Sequence, residues 1–336
     1  MSVHVPNSRL DGRHTSTGIA SPYISERLYP CFARSRKEKA WWVILSTACC
    51  FFMAFALLAI AHAGNLKTQE ILPSDTDPAI TRFNEPNVIV FDEEAPADVP
   101  LVVYMPGTDG KPRNAMHLLH VVAAQGYRVI GLEYNDEPAV VQVCPRNPDP
   151  SCSANFRAHR IFGGNGRSPI ENTQAETIVN RLVKLLGYLQ EHDAAQHWDG
   201  YLLDGEPNWS RIVVSGLSQG AGMAAYIAKR KLVARVVLFS SPWDYERASQ
   251  QLARWIGEPS ATPPDRWFAE YHRRENTAAL LARSYKVLKI PADHVRVFDL
   301  GLPKDMKTKS DNPYHVSTVR NADYESEWQF LFGKFP

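Results

Sequence analysis

The chain has almost no net charge: its 336 residues carry 37 Lys and Arg against 36 Asp and Glu, a formal +1 at pH 7. There is no basic surplus and no stripe of Lys and Arg interleaved with aromatics in the C-terminal part. The electrostatic footprint of a nucleic-acid binder is therefore missing, and no nucleic-acid partner is expected. Cysteine is scarce, five in all, and none has the spacing of a zinc knuckle or a His/Cys pair beside it. No internal repeat and no low-complexity tract occurs, so one domain with an appendage accounts for the length.

The appendage is N-terminal. Residues 40–63, AWWVILSTACCFFMAFALLAIAHA, contain no charge and no proline, and about twenty apolar residues suffice for a helix to cross a bilayer. They are apolar on every side, which argues against an amphipathic core helix. Arg27, Arg34, Arg36, Lys37 and Lys39 precede them and keep residues 1–39 cytoplasmic, as a tail or as the n-region of a signal. Everything after Ala63 is then exported, to the periplasm or the extracellular space. Ala61-His62-Ala63 has the small-x-small form of a signal-peptidase site, but the apolar run is longer than a usual signal core. Secretion after cleavage near Ala63 and retention as a single-pass anchor both stand. Of the five cysteines, Cys144 and Cys152 alone lie beyond this segment, in CPRNPDPSC. That Pro/Asn/Asp/Ser-rich stretch can fold back on itself, and an oxidising compartment would let a disulfide persist.

Residues 64–86 are polar and broken by proline, and read as a linker. The domain is expected over 87–336. Short β-branched runs alternate there with helical stretches, the pattern of an α/β fold with a mostly parallel sheet covered by helices on both faces. The strands are expected at 88–91, 101–105, 128–134, 211–215, 235–240, 266–272 and 294–300. Helices are expected at 114–125, 173–190, 219–230 and 276–288.

Gly216-Leu217-Ser218-Gln219-Gly220 fits G-x-S-x-G directly after a strand and directly before a helix, the context of a nucleophile elbow. Strand and helix crowd together at such a turn, so the flanking positions must be small. The serine then stands at a helix N-terminus, where N–H groups favour developing negative charge. Upstream, LVVYMPGTDGKP ends a strand in a glycine-rich turn. Backbone N–H groups near Thr108 would supply half of an oxyanion hole, and that of Gln219 the other half. The bland alternative for PGTDG is a surface turn.

A serine hydroxyl needs a base, and histidine is the usual one. In the chain order Ser, acid, His the base comes from a loop after the final strand, which leaves His315 in DNPYHVS. His272 and His294 fall in or at strands and read as structural. The acid is expected after RWFAEYH, at Glu275. Asp244, in SSPWDY after the preceding strand, is the alternative. Asp299 stands too near His315 in the chain. The connection 136–172 is long for a strand-to-helix link and would shape the pocket. Trp198, Trp209, Trp243 and Trp255 are candidates either to line it or to fill the core.

PGTDG, CPRNPDPSC with a following arginine, NRLVKLLGYL, NWSRIVVSGLSQGAGMAAYIAK and RVVLFSSPWDY together resemble a family of exported, mostly uncharacterised serine α/β-hydrolases, from about Asn87 onward. That resemblance implies the α/β-hydrolase fold and an acyl-enzyme mechanism on small acyl substrates, without a cofactor. The family's His-x-x-acid motif corresponds here to His272-Arg273-Arg274-Glu275, with Glu where Asp is usual. Where that family tends to have a second small or histidine-containing run after the elbow, this chain departs from it with Ala221-Gly222-Met223. An inactive hydrolase scaffold used for binding, or a peptidase or acyltransferase with the same residues, would share these features.

Overall fold

The structure, a computed structural model, describes residues 66–334 apart from positions 165, 167, 248, 308 and 309. The chain divides into residues 1–61 and 62–336. The tail, the expected membrane segment 40–63 and the site at Ala63 lie outside the described residues. Among the described residues no helix is long and apolar enough to cross a membrane.

The domain is built on one eight-stranded sheet of β1 (Leu66–Ile71), β2 (Asn87–Asp92), β3 (Leu101–Met105), β4 (Arg128–Gly131), β5 (Ile212–Leu217), β6 (Arg235–Phe239), β7 (Trp267–His272) and β8 (Val295–Phe298). In space the order is β1-β2-β4-β3-β5-β6-β7-β8. β2 runs antiparallel to both of its neighbours, and every other pairing is parallel. The expected α/β class with a mostly parallel sheet is thus observed.

The strands read as unbroken apolar runs because both faces of the sheet are covered. Successive side chains point to opposite faces, and they enter two separate cores. Leu101, Val103, Met105, Val214, Val236 and Leu238 pack with Leu182, Leu185 and Leu186 of α3 (Ile178–His192) and Ala224 and Ala225 of α4 (Gln219–Arg230). Val102, Tyr104, Val213, Val237 and Phe239 pack on the other face, with Leu118 and Leu119 of α1 (Met116–Ala123) and Trp328 and Leu331 of α7 (Glu325–Phe332). Helix α3 carries the apolar spacing read from the sequence and starts at Thr177, whose Oγ1 accepts from the Asn180 N–H at 3.1 Å. That is an N-cap satisfying one of the orphan donors of the first turn.

Residues 66–86 correct the expected linker. Leu66–Ile71 is an edge strand in antiparallel register with β2, from Leu66↔Asp92 to Ile71↔Asn87. The Asn87 side chain donates to the Ile71 carbonyl at 3.1 Å, and Glu70 pairs with Arg113. An edge strand is held mainly by main-chain hydrogen bonds to one neighbour, so polar composition does not preclude it. The stretch that follows is fastened to α3. Arg181 donates to the carbonyls of Arg82 and Phe83 at 2.8 and 2.9 Å, and Arg82 grips Glu176 through two hydrogen bonds. The domain therefore begins by Leu66, not near Asn87.

The long connection after β4 holds a cysteine pair. Cys144 and Cys152 stand with Cα atoms 5.5 Å apart and their sulfurs bonded. Cys152 opens α2 (Cys152–Phe162), which packs on α4. Between β7 and β8 runs α5 (Ala278–Val287), and α6 (Pro313–Ser317) follows β8.

Candidate active site

The site forms where the parallel strands end. Ser218 stands between β5 and α4 with φ 53°, a left-handed conformation that a serine adopts only when its surroundings impose it. Its N–H donates to the Phe239 carbonyl at 2.8 Å, and its carbonyl caps the first turn by accepting from Gly222 N–H at 3.0 Å. Glycine is required on either side. A Cβ at Gly216 or at Gly220 would run into the Met105 carbonyl oxygen at the end of β3. The same crowding brings the 107–110 turn against the serine: a Cβ on Gly107 would stand 3.1 Å from Ser218 Cβ. That turn is closed by Gly110 N–H, which donates to the Gly107 carbonyl at 2.8 Å and lies 3.2 Å from Asp136 Oδ2.

Gln219 is the first residue of α4. Its side chain is buried and engaged, accepting from Val140 N–H at 3.3 Å and donating to the Pro138 carbonyl at 3.2 Å. Its backbone N–H belongs to the first turn, where N–H groups lack intrahelical acceptors.

His315 sits on α6. Its Nδ1 is 2.7 Å from Glu275 Oε2, and the Glu275 side chain is fully buried while that of His315 is 16% exposed. The other carboxylate oxygen of Glu275 accepts from Ser240 Oγ at 2.6 Å and from His272 N–H at 2.7 Å. Burial alone would raise the Glu275 pKa, but these three hydrogen bonds outweigh it and hold the carboxyl below its usual value. The group is a carboxylate fixed by three donors, one of them the imidazole.

Asp244 is engaged elsewhere. Arg157 holds both of its oxygens, with Nε 2.7 Å from Oδ2, and Trp255 Nε1 donates to Oδ2 at 2.9 Å. The two charges are almost wholly buried, so this pair ties α2 to the segment after β6. The geometry thus separates the two candidate acids: Glu275 touches the imidazole, and Asp244 neutralises an arginine.

His272 and His294 have the structural places expected of them. His272 Nδ1 accepts from Arg274 N–H at 3.0 Å, which leaves Nε2 to donate to the Leu300 carbonyl at 2.9 Å. Burial lowers its pKa. His294 stacks on Phe268 with ring centroids 4.0 Å apart. Of the four tryptophans, Trp198, Trp209 and Trp255 are buried in the core. Trp243 lines a small recess together with Thr108, Ser218 and Gln219.

Ser218, His315 and Thr108 line one open cleft of about 800 Å³. Two further residues, one buried behind the triad candidates and one on the cleft, escaped the sequence reading. Ser240 has φ 54° and is wholly buried under Glu275; its signal is its place at the C-terminal end of a parallel strand, where ligand sites of open sheets lie. Arg320 lines the cleft together with the 107–110 turn, and one arginine among many carries no such signal. Among the described residues no group of three or more His, Cys, Asp or Glu side chains could hold a metal.

No family model matches the chain, and no curated protein matches it. Solved structures similar to it include esterase B from Lactobacillus rhamnosis inhibited by a tributyrin phosphonate, at 12% identity over 89% of this chain and 97% of that one, TM-score 0.43. A bacterial heroin esterase is 14% identical over 85% of this chain and 89% of its own, TM-score 0.43. A hormone-sensitive lipase from a metagenome library is 12% identical over 79% and 84%, TM-score 0.41.

Proposed function

We propose that the protein is an exported serine hydrolase of the α/β-hydrolase type that cleaves esters or related acyl bonds through a Ser218, His315 and Glu275 triad. The observation that carries the reading is the 2.7 Å contact between His315 and a buried Glu275, with His315 and Ser218 on one cleft. Ser218 Oγ attacks the acyl carbonyl as His315 Nε2 takes its proton, forming a tetrahedral oxyanion. The backbone N–H groups near Thr108 and of Gln219 hold that charge. Collapse expels the alcohol, which receives the proton from His315, and leaves an acyl-Ser218. Water, activated by the same imidazole, then releases the acid. Glu275 keeps the ring in its reactive tautomer and stabilises the imidazolium. No cofactor takes part in this scheme.

Placement outside the cytoplasm rests on the basic residues ahead of the uncharged segment 40–63 and on the Cys144–Cys152 bond. Sequencing the N-terminus of the mature protein decides between cleavage near Ala63 and a retained anchor. For the chemistry, the full-length protein is treated with a fluorophosphonate and assayed on p-nitrophenyl esters of increasing chain length. Labelling at Ser218 that Ser218→Ala abolishes is the expected result. Labelling at another serine overturns the assignment.

A further inference from the structure

Nearly every arginine withdrawn into this domain meets an acceptor. Arg157 has Asp244, Arg160 the carbonyls of Glu137 and Pro138, Arg181 those of Arg82 and Phe83, and Arg128 the Gln196 side chain. Arg320, which is only half-buried, has none among the described residues; its Nε is buried without a hydrogen-bond partner, as are those of Arg128, Arg160 and Arg181. It stands five residues beyond His315, where its own N–H closes a turn onto the Ser317 carbonyl at 3.1 Å. Its side chain lines the cleft that holds Ser218 and His315. Lys307 lines the same cleft and is exposed.

Thr108 and Asp109 are shared with a second, more acidic recess. Asp109, Glu137 and Glu171 line this adjoining recess of about 570 Å³. The neighbouring carboxyl of Asp109 raises the Glu137 pKa, as expected of two acidic groups sharing a site. The one arginine there, Arg82, is neutralised by Glu176 at 2.6 Å. Asp109 lines the Ser218 cleft as well, so that cleft carries Arg320 and Lys307 with one carboxylate, while Glu137 and Glu171 line only the adjoining recess.

We propose that Arg320 recognises an oxyanion group of the substrate, so that the enzyme prefers esters whose acyl or alcohol part carries a carboxylate or phosphate. A guanidinium presents a planar fork that matches both groups. Repulsion by the acidic recess fixes the direction in which such a substrate lies: anionic end against Arg320, ester carbonyl at Ser218. The inference rests on the proposed role of Ser218 for its catalytic consequence, but not for the binding of the anion itself.

The test uses full-length protein and p-nitrophenyl esters matched in size. One arm compares the butyrate with the monoesters of succinate, glutarate and adipate, whose lengths read the spacing from Ser218 to Arg320. A second arm uses an ester whose acyl chain ends in phosphate. The expected result is a kcat/KM at least about tenfold higher for one anionic arm than for the butyrate, carried mostly by KM, because a hydrogen bond to a charged group contributes roughly tenfold to a hundredfold. Arg320→Gln should collapse that ratio by about tenfold or more, and Arg320→Lys should restore part of it. Free glutarate and inorganic phosphate, titrated by calorimetry, read the same site without turnover. Equal kcat/KM for neutral and anionic esters, or a ratio unchanged in Arg320→Gln, overturns the proposal while leaving Ser218 as nucleophile. Anion binding that Arg320→Gln abolishes, in a protein that turns over no ester, would retain the anion site and overturn the hydrolase reading.

Discussion

His315 Nδ1 lies 2.7 Å from Glu275 Oε2, although the two residues are 40 positions apart and belong to connections after different strands. The contact depends on β7 and β8 being parallel neighbours, because that arrangement delivers the turn after each strand to the same edge of the sheet. Ser240 and the His272 N–H hold the far side of the carboxylate. The imidazole is thus aimed by a group that two other donors fix in place.

That arrangement separates the effects of the two acids. Glu275→Gln should still fold, giving up only the stability that the ionised carboxylate contributes, and lose up to about 10⁴ in kcat, since an amide cannot hold the imidazolium. Asp244→Asn should instead leave Arg157 buried without its counter-charge, at about 3–5 kcal/mol of stability, and keep turnover per folded molecule within about tenfold. Thermal melts and ester kinetics on both variants check this. The reverse pattern would move the acid to Asp244.

The elbow makes a second prediction. Gly220→Ala would place its Cβ against the Met105 and Pro106 carbonyl oxygens, backbone atoms at the end of a central strand that cannot turn aside as a side chain can. The variant should be destabilised by more than about 4 kcal/mol, in the range reserved for severe overpacking, and should not accumulate as soluble protein. Gly187→Ala, on α3 with open space around its Cβ, should be neutral or slightly stabilising by helix propensity. Expression and melting of the pair decide.

How legible this site was depends on the distance over which each constraint acts. The elbow could be read because its demands are local: small residues two before and two after Ser218, with a strand and a helix either side. Glu275 and His315 could be read because chain order in a parallel sheet maps onto position along one edge. Ser240 could not, since a hydroxyl after a strand is commonplace and only the fold shows what it touches. Arg320 could not, because its lack of an acceptor is a property of the tertiary surroundings. The edge strand Leu66–Ile71 was hidden by its polar side chains, as its pairing is made by main-chain atoms.

The bond between Cys144 and Cys152 closes a short loop, eight positions apart, at the start of α2, which carries Arg157. Chain-entropy arguments assign such a closure roughly 2–3 kcal/mol. Replacing both cysteines by serine should lower stability by about that amount in denaturant unfolding. In native protein neither residue should react with a thiol reagent until it is reduced. Two free thiols in the unreduced protein would remove one support of the export proposal.

The last prediction concerns Glu133 and Asp136, two buried carboxyls behind the 107–110 turn. Burial raises each pKa to about 7, against the partial compensation of Lys111; the Lys111 ammonium is 3.3 Å from Glu133 Oε1. In an unfolded chain these groups titrate near 4.3 and 3.9. Between about pH 4 and 7 the folded state therefore keeps protons that the unfolded state has released. By linkage, their contribution to stability falls as pH rises through that window and stays low above it. Glu275 has the opposite sign: its pKa is lowered, so its contribution is present above about 4.3 and is lost as pH falls. The glutamate is isolated by comparing wild type with Glu133→Gln, whose amide mimics the protonated form. The stability gap in favour of the variant should widen with pH from about 4 to 7, by at most about 1.4 kcal/mol per unit, and level off above. Denaturant unfolding at four or five pH values measures it. A gap that is flat, or that narrows across this range, would mean that Glu133 is ionised in the folded protein, with Lys111 as its full partner.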